Sequence, residues 1–376
     1  EAALRELTAC LHDPDDSVRE AATLALSRVD PLGRARPRTL EAQAALVERL
    51  VPTLMAELHV PGVAVTLIHD RAVIWTRGFG VRSAATREPV SADTVFEAAS
   101  MSKPILAMLA MGLVDQGRLD LDCPLEVYGT DLQVPIQPAR GLITARMALS
   151  HTSGYPNWRP GGEEEQGPLP LRFHPGTRFH YSGEGIFHLQ RQLERLVGQP
   201  LEAWASAALF MPLGLRRTAF RWTPELGRHQ ASGHGDDGAV RPASRYHHAN
   251  AAYTLYTTAT EYGRLLVELL QATEGRSRHL SQGAALELLR PQVKVDAREP
   301  IERPGRARGQ EVYWGLGWSL NTTAQGPIAH HSGANQTGFR CFSQISPSRG
   351  TGLVIFTNGT RGSDLWTRVV AALGDL

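Results

Sequence analysis

The sequence predicts an α/β (α+β) protein: a mainly antiparallel sheet flanked by helices, with an inserted helical subdomain and a short N-terminal helical hairpin. Two β-rich runs occur early, at 63–68 and 72–78, and strand patterns return from residue 314 onwards. The residues between about 100 and 293 have mostly helical periodicity, with long connections rich in Pro and Gly. We therefore expect strands from both ends of the chain to form one sheet, with the helical part inserted between them.

The first 38 residues predict a helical arm followed by a linker. Apolar residues recur at helical spacing over 2–11 and 18–29, and Asp13-Pro14-Asp15-Asp16 separates the two stretches. The segment 13–22 resembles one HEAT-type repeat, and a single repeat of that kind cannot bury its own apolar face. We therefore expect the arm either to pack on the following domain or to belong to a longer repeat array, and we regard it as a candidate surface for protein contact.

Residues 39–376 predict one domain with two subdomains. We expect a sheet subdomain from 39–99 and about 300–376, and a helical subdomain from about 100–299. The early strands are joined by a hairpin signal at 69–71, and Thr258 and Glu261 form a capping box that opens a helix. The predicted elements are a helix at 40–58, strands at 63–68 and 72–78, a helix at 259–270, strands at 314–320, 328–331, 339–345 and 352–357, and a helix at 364–373.

Composition excludes several classes of protein. With 376 residues, 42% of them hydrophobic, the chain can form a buried core that needs no disulfide or metal ion to stabilise it. Its 39 basic and 38 acidic residues nearly cancel, which argues against binding to nucleic acid or to anionic lipid. The sequence shows neither an apolar run of roughly 18 residues nor a signal-peptide pattern, so we expect no membrane span. Cys10, Cys123 and Cys341 are widely separated, and we expect small buried side chains there.

Lysine is rare in this chain. Of the 39 basic residues, only Lys103 and Lys294 are lysines. Arginine stays charged, whereas a desolvated lysine can lose its proton near neutral pH. Biased codon usage explains an excess of arginine, but each remaining lysine is a candidate for chemistry that arginine cannot perform.

The segment Ser100-Met101-Ser102-Lys103 places one of these lysines three residues after a serine. On a helix, positions i and i+3 share a face, so the amine would lie within hydrogen-bond reach of the hydroxyl. A neutral amine can accept the serine proton and produce a nucleophile without a histidine. The following residues are apolar, which disfavours a charged lysine, although a solvated lysine at a helix end is the alternative interpretation.

Two further motifs carry polar groups of a catalytic type. The tyrosine of Tyr181-Ser182-Gly183 could relay a proton if a cation lies beside it, although a buried tyrosine is more often a packing residue. The motif His330-His331-Ser332-Gly333-Ala334 lies on a predicted late strand, where small residues would let a substrate backbone approach closely. Adjacent histidines are more often surface residues than catalytic ones.

The order and spacing of these motifs give the chain from about Leu40 to Leu376 a resemblance to a known superfamily. It resembles the serine β-lactamases and penicillin-binding proteins in their class C-like branch, which includes DD-peptidases, D-aminopeptidases and family VIII carboxylesterases. Ser100 and Lys103 match the SxxK element, Tyr181 to Gly183 the tyrosine element, and His331-Ser332-Gly333 the strand element equivalent to KTG. Other stretches that fit the pattern are Leu149-Ser150-His151-Thr152-Ser153-Gly154, Pro212-Leu213-Gly214-Leu215, Gly315-Leu316-Gly317-Trp318 and Thr357-Asn358-Gly359.

The resemblance implies a role for each of these residues. Ser100 would attack a carbonyl to form an acyl-enzyme, and Lys103 would accept its proton or hold down the pKa of Tyr181. Tyr181 would pass a proton to the leaving group and later activate the deacylating water. The backbone N–H groups of Ser100 and Ala334 would form an oxyanion hole. The substrate would bind against His331, Ser332, Gly333 and Gly183, and no cofactor or metal is implied. The resemblance favours an exported, periplasmic protein, and a cytoplasmic one is the alternative.

Two positions depart from the family pattern. The tyrosine element usually ends in Asn, where this chain has Gly183, and the strand element usually begins with Lys, where it has His331, a weaker and pH-dependent carboxylate anchor. Both losses weaken the binding of an amide or lactam, so the sequence favours a carboxylesterase on short-chain or activated esters. A D-peptide hydrolase or weak β-lactamase is the alternative, and a non-catalytic binding or scaffold protein that works through the arm is a more remote one.

Overall fold

The computed structural model describes residues 39–131, 138–160, 168–299, 301, 311–323 and 325–374, together with residues 6–7, 9–10, 13–15, 17–19, 21–22 and 25 of the arm. The described residues of 6–10 and 17–25 are helical, and Leu7 and Cys10 pack against Ala22. The arm therefore contains helical turns that contact one another, whereas its similarity to a HEAT repeat stays a prediction.

Strands come from both ends of the chain, and short strands also lie between them. They are β1 (Gly62–His69), β2 (Ala72–Gly80), β3 (Phe96–Ala99), β4 (Gly233–His234), β5 (Val240–Arg241), β6 (Leu255–Thr257), β7 (Val293–Val295), β8 (Val312–Trp314), β9 (Ser319–Thr323), β10 (Gly326–Ala334), β11 (Arg340–Ser346) and β12 (Thr351–Thr357). Eight of them form an antiparallel sheet in the order β2-β1-β12-β11-β10-β9-β8-β7. The prediction of one sheet built from both chain ends is confirmed.

The helices flank this sheet and fill the chain between its two groups of strands. They are α1 (Leu40–Leu58), α2 (Lys103–Asp115), α3 (Ala145–Leu149), α4 (Gly183–Val197), α5 (Leu201–Ala205), α6 (Pro224–His229), α7 (Ala259–Ala272), α8 (Gln282–Leu288) and α9 (Gly362–Leu373). None of the helices among the described residues is both long enough and apolar enough to cross a membrane.

Two apolar cores hold the helices to the sheet. On one face, α1 and α9 pack on β1, β11 and β12, and side chains such as Leu50, Ile355 and Trp366 share one buried cluster. A second cluster contains most of α2 together with α7, which packs on β1, β2 and β12. Because residues 103–111 at the start of α2 are all buried, they are held firmly in position.

The predicted strand at 314–320 is wrong at its centre: residues 315–318 form the turn between β8, which ends at Trp314, and β9, which begins at Ser319. Leu316 and Trp318 are fully buried, which made the segment resemble a buried strand. The chain turns at Gly317, which has a φ of 79° and lies so close to α2 that an added Cβ would be 2.7 Å from the Ala107 Cβ. The sheet also begins earlier than expected in the second half of the chain, because β7 starts at Val293.

The cysteines are all free, and the expectation of burial holds for only one of them. Cys341 on β11 is buried, whereas Cys10 and Cys123 are half-buried. Glu97 lies just below the nucleophile motif and its backbone carbonyl accepts a 3.5 Å hydrogen bond from the Cys341 Sγ. Cys341 is therefore part of the packing between β3 and the sheet.

Candidate active site

The candidate site is built where the β3 strand turns into helix α2. Ser100 begins a single helical turn, Ser100–Ser102, and α2 continues from Lys103. The residue before the serine, Ala99, has a φ of 47° and a ψ of −126°, a conformation that favours glycine and costs on the order of 1–3 kcal/mol for other residues. This strained turn holds Ser100 at the end of a buried strand and at the start of a buried helix.

Strand β10 packs directly on this turn. An ideal Cβ added to Gly333 would lie 2.2 Å from the Ala98 carbonyl oxygen, so only glycine permits this approach. The next residue, Ala334, lines the same cavity as Ser100. Gly333 therefore permits the close packing that brings Ser100 and Ala334 together, and its predicted contact with substrate stays a prediction.

The serine and the lysine are in contact, as their spacing predicts. Lys103 Nζ lies 3.0 Å from Ser100 Oγ and donates a 2.7 Å hydrogen bond to the backbone carbonyl of Ala252. Lys103 is completely buried, and this desolvation lowers the pKa of its amine from 10.5 to about 7. Near neutral pH a large share of the amine is therefore uncharged and able to accept the serine proton.

Tyr181 contacts the lysine as well, and it lies two residues before the start of α4. Its ring centroid is 4.8 Å from Lys103 Nζ, and the His151 ring packs on it at 4.3 Å between centroids. Ser182 N–H donates a 3.1 Å hydrogen bond to His151 Nδ1, which places the proton of a neutral His151 on Nε2. Burial, followed by the nearby charge of Lys103, lowers the pKa of His151 well below 6.5, so His151 is a neutral support for the tyrosine.

A cavity of about 160 Å³ opens over these groups. Its lining includes the predicted residues Ser100, Tyr181, His331, Ser332 and Ala334, together with Asn157, Ile301, Trp314, Ser319 and His330. The structure thus brings the three predicted motifs to one place. Among the described residues, no group of three or more His, Cys, Asp or Glu side chains is arranged to hold a metal ion.

His331 lines the cavity, as the resemblance implies, and its surroundings determine its charge. It is buried, and its Nδ1 makes a 2.7 Å hydrogen bond with the Ser332 carbonyl, so that Nδ1 carries the proton. Burial, followed by the Lys103 charge, lowers the pKa of His331 to about 3. A neutral imidazole cannot attract a carboxylate by charge, so this low pKa argues against a charged anchor at His331, whose contact with substrate stays a prediction.

The surroundings of Gly183 explain why this position is a glycine. It opens helix α4 and is not among the described residues that line the cavity. An ideal Cβ added to Gly183 would lie 2.5–2.8 Å from three atoms of the Trp158 ring, so this indole occupies the place of a side chain at 183. The packing of Trp158 leaves no room for a side chain at position 183, and direct contact of Gly183 with substrate stays a prediction.

The sequence analysis missed Glu97, a fully buried carboxylate three residues before Ser100. One carboxylate oxygen accepts from the Ser244 N–H at 2.9 Å and from Gln230 at 3.3 Å, and the other from Asn335 at 2.7 Å and Thr337 at 2.9 Å. Burial raises the pKa of Glu97, and these hydrogen bonds oppose that shift. The feature of the sequence that could have revealed it is a single acidic residue within the otherwise apolar segment 96–99. Glu97 ties the segment before Ser100 to the segment after Ala334.

We expect Glu97→Gln to reduce kcat by roughly tenfold or more while leaving KM nearly unchanged. An amide nitrogen in place of either oxygen would face two hydrogen-bond donors, which would shift the Ser100 and Ala334 backbones relative to each other. Steady-state kinetics on an activated ester, with the thermal unfolding midpoint measured in parallel, checks this. Glu88→Gln, at an exposed glutamate paired with Arg82, is the control. Equal kinetics for the two variants would contradict a positioning role for Glu97.

Comparisons with known proteins agree with this architecture. The beta-lactamase family model matches residues 47–373. The chain is 28% identical over 367 residues to "Putative beta-lactamase-like 1" of Homo sapiens, which covers 90% of this chain and 70% of the relative. It is 26% identical over 202 residues to "Esterase EstB" of Burkholderia gladioli, which covers 47% and 51%. The solved beta-lactamase/D-alanine carboxypeptidase from Pseudomonas syringae superposes with a TM-score of 0.73 at 20% identity, covering 88% of this chain and 98% of that one.

Proposed function

The chain belongs to the beta-lactamase family, whose fold serves serine hydrolases, and from that premise we propose that it is a carboxylesterase on short-chain or activated esters. One observation carries the catalytic part of this proposal: a buried amine with a pKa of about 7 lies 3.0 Å from the hydroxyl of Ser100. Neither a histidine nor a metal is needed to activate that hydroxyl.

The proposed reaction has two stages. Ser100 Oγ attacks the ester carbonyl as its proton passes to Lys103 Nζ, and the oxygen that becomes negative is bound by the N–H groups of Ser100 and Ala334. The bond to the alcohol then breaks, and the alcohol leaves with a proton relayed through Lys103 and Tyr181. A water molecule then attacks the acyl carbon and gives one proton to the same pair, which passes it to Ser100 Oγ as the bond between Oγ and the acyl carbon breaks. The acid leaves, and the Ser100 hydroxyl is restored.

Two features support an ester over a lactam or a D-peptide. A penicillin, a cephalosporin or a peptide C-terminus presents a carboxylate, and the described residues that line the cavity include no arginine, while His331 is neutral. An alkoxide or phenolate is also a better leaving group than an amine, so it needs less assistance from a general acid. The relative named as an esterase points the same way.

We expect kcat/KM for a p-nitrophenyl ester to exceed that for a chromogenic cephalosporin by at least roughly 100-fold, because the described residues that line the cavity offer no arginine and only a neutral His331 to the lactam carboxylate. Both substrates are assayed with the same preparation, and Ser100→Ala serves as the blank. Cephalosporin turnover equal to ester turnover would contradict the ester assignment. Absence of both activities, with no labelling of Ser100 by a fluorophosphonate, would favour the non-catalytic alternative.

The pH profile provides a second test of the mechanism. Lys103 acts as a base only when neutral, and burial lowers its pKa to about 7, so kcat/KM should rise from acidic pH and level off above about 7. His151 and His331 are already neutral over this range, because their pKa values are lowered far below it. If kcat/KM rose only near pH 10, the Lys103 amine would keep its ordinary pKa.

A further inference from the structure

A second cavity, of about 400 Å³, lies beside the C-terminal half of α2. Leu109, Gly112 and Leu113 of this helix line it, whereas the candidate active site is at the N-terminal end of the same helix. Lys103 and Gly112 are nine residues apart, which is roughly 13 Å along a helix axis. The two cavities share none of the described residues that line them. The volume lies within the range of about 300–1,000 Å³ that is typical of small-molecule sites.

Gly112 provides part of the room in this second cavity. Its φ is not positive, and outside its own helix the nearest atom to an ideal Cβ at this position is the His279 carbonyl oxygen, 3.9 Å away. Neither backbone conformation nor close packing therefore requires glycine here, and glycine is a poor helix former. The space that a side chain would fill is instead part of the cavity.

The chain after α5 forms another wall of the second cavity. Residues Ser206–Phe210 make a single π-helical turn, and Ala207, Ala208 and Leu209 of this turn line the cavity. Such turns are rare, and many of them occur at functional sites. The two alanines are exposed, whereas Leu209 and the lining residue Trp204 are buried. An apolar chain that enters from solvent at this turn would therefore lie against buried side chains.

The charge at the second cavity is positive. Arg118 and Arg278 are exposed residues of its lining, and no aspartate or glutamate among the described residues lines it. Arg118 donates a 2.9 Å hydrogen bond to the Leu196 carbonyl, and Arg278 makes no side-chain hydrogen bond or ion pair with any residue that the structure describes. The acid nearby in sequence, Asp115, accepts hydrogen bonds from Ser281 at 2.7 and 2.6 Å. The two arginine charges are therefore available to an anion.

We propose that the second cavity binds a medium-chain monocarboxylic acid, with its carboxylate at Arg118 and Arg278 and its chain along the buried apolar lining. Charge complementarity selects the head group, because guanidinium groups pair well with carboxylates. The apolar lining selects the tail, because burial removes both surfaces from water. The inference does not depend on the proposed esterase function, since none of the residues involved lines the candidate active site.

Binding is tested first with octanoate and 8-bromooctanoate. We expect calorimetry to show saturable binding of one octanoate per chain. Hexanoate should bind roughly tenfold more weakly, because two fewer methylenes are buried. In a crystal of the complex, anomalous scattering from 8-bromooctanoate should place the bromine in the cavity lined by Gly112 and Trp204. No saturable binding, or bromine in the candidate active site alone, would overturn the proposal.

Two variants that fill the cavity locate the site in solution. Gly112→Leu should weaken octanoate binding by at least roughly tenfold and keep or raise the thermal unfolding midpoint, because leucine forms helices better than glycine. Ala208→Leu fills the cavity from the π-helical turn and gives an independent result if Gly112→Leu does not fold. Ala203→Leu, at an exposed alanine of α5 outside the lining, is the matched control. Wild-type affinity in the folded filling variants would overturn the proposal.

The head group is tested by removing the two charges. The double variant Arg118→Gln and Arg278→Gln should bind octanoate about fivefold more weakly, the effect of two exposed ion pairs, and should bind octan-1-ol as the wild type does. Each ligand is compared with itself across variants, so their different hydrophobicity cancels. Arg264→Gln, at an exposed arginine of α7, is the control. Equal changes for the two ligands would overturn the assignment of a carboxylate.

A second copy of the chain is the competing occupant of this cavity. It would appear in analytical ultracentrifugation as self-association that Ala208→Leu abolishes, together with no saturable binding of octanoate. That combination would overturn the proposal. A monomer that binds octanoate, and loses it in the filling variants, would support it.

Discussion

Ser100→Ala is expected to reduce ester hydrolysis by at least about 10⁴-fold and to leave the fold intact. The serine is the only proposed covalent partner of the acyl group, and loss of a nucleophile in a serine hydrolase typically removes all but the rate enhancement from binding and the oxyanion hole. Ser100 is half-buried at the cavity rather than part of the core, so the substitution creates no large void. Initial rates on a p-nitrophenyl ester and the thermal unfolding midpoint measure the two effects.

Labelling identifies the nucleophile directly. A fluorophosphonate should modify the wild-type chain at Ser100 and should leave Ser100→Ala unmodified. Ser102 and Ser150 are the neighbouring alternatives, but both are buried and their hydroxyl groups are hydrogen-bonded, Ser102 to the Ala99 carbonyl at 2.6 Å and Ser150 to Thr152 at 3.0 Å. Modification of either serine would be incompatible with the assignment of Ser100.

Lys103→Arg is expected to be nearly as damaging as Lys103→Ala, with a loss of roughly 10²–10⁴-fold in kcat/KM. Guanidinium stays protonated and cannot accept the proton of Ser100. It would also place a permanent charge in a site where desolvation alone already lowers the lysine pKa to about 7. Lys103→Met is uncharged and of similar length. Its thermal unfolding midpoint, compared with those of the other two variants, shows how far altered packing contributes to their loss of kcat/KM.

The second lysine supplies the matched control. Lys294 on β7 is exposed and paired with Glu311, which raises its pKa, so its charge is permanent and an arginine can replace it. Lys294→Arg should therefore keep wild-type kinetics. If Lys103→Arg kept a large share of the activity, Lys103 would be a fixed electrostatic partner, and the proposed proton transfer would be wrong.

Local patterns predicted much of the fold and the chemical centre. The helix at 40–58 agrees with α1 at both ends, because the Thr39 cap and the left-handed His59 are local features. The contact between Ser100 and Lys103 also follows from spacing along one turn. The turn at 315–318 was missed because its burial depends on α2, which lies about 200 residues earlier in the chain.

The rest of the site depends on contacts between distant segments. Glu97 accepts its hydrogen bonds only when folding brings Gln230, Ser244 and the loop after β10 next to it. Gly183 is explained by an indole 25 residues away. His331 loses its charge through burial that the sequence of β10 does not reveal. In each case the sequence shows the type of residue, but it does not show which residues contact that side chain or how far the side chain is buried.

The position of β12 in the sheet has a consequence for how the chain folds. During synthesis every residue of the candidate site, from Ser100 to Ala334, emerges before β12 does, yet β1 can pair on that side only with this last strand. Bringing 63 next to 357 closes a very long loop, and contacts of such high sequence separation form slowly. Until residues 351–357 arrive, apolar edges of β1 and β11 stay unpaired and open to association with other chains. A chain that stops before β12 would therefore carry every catalytic motif and still be unable to assemble the site.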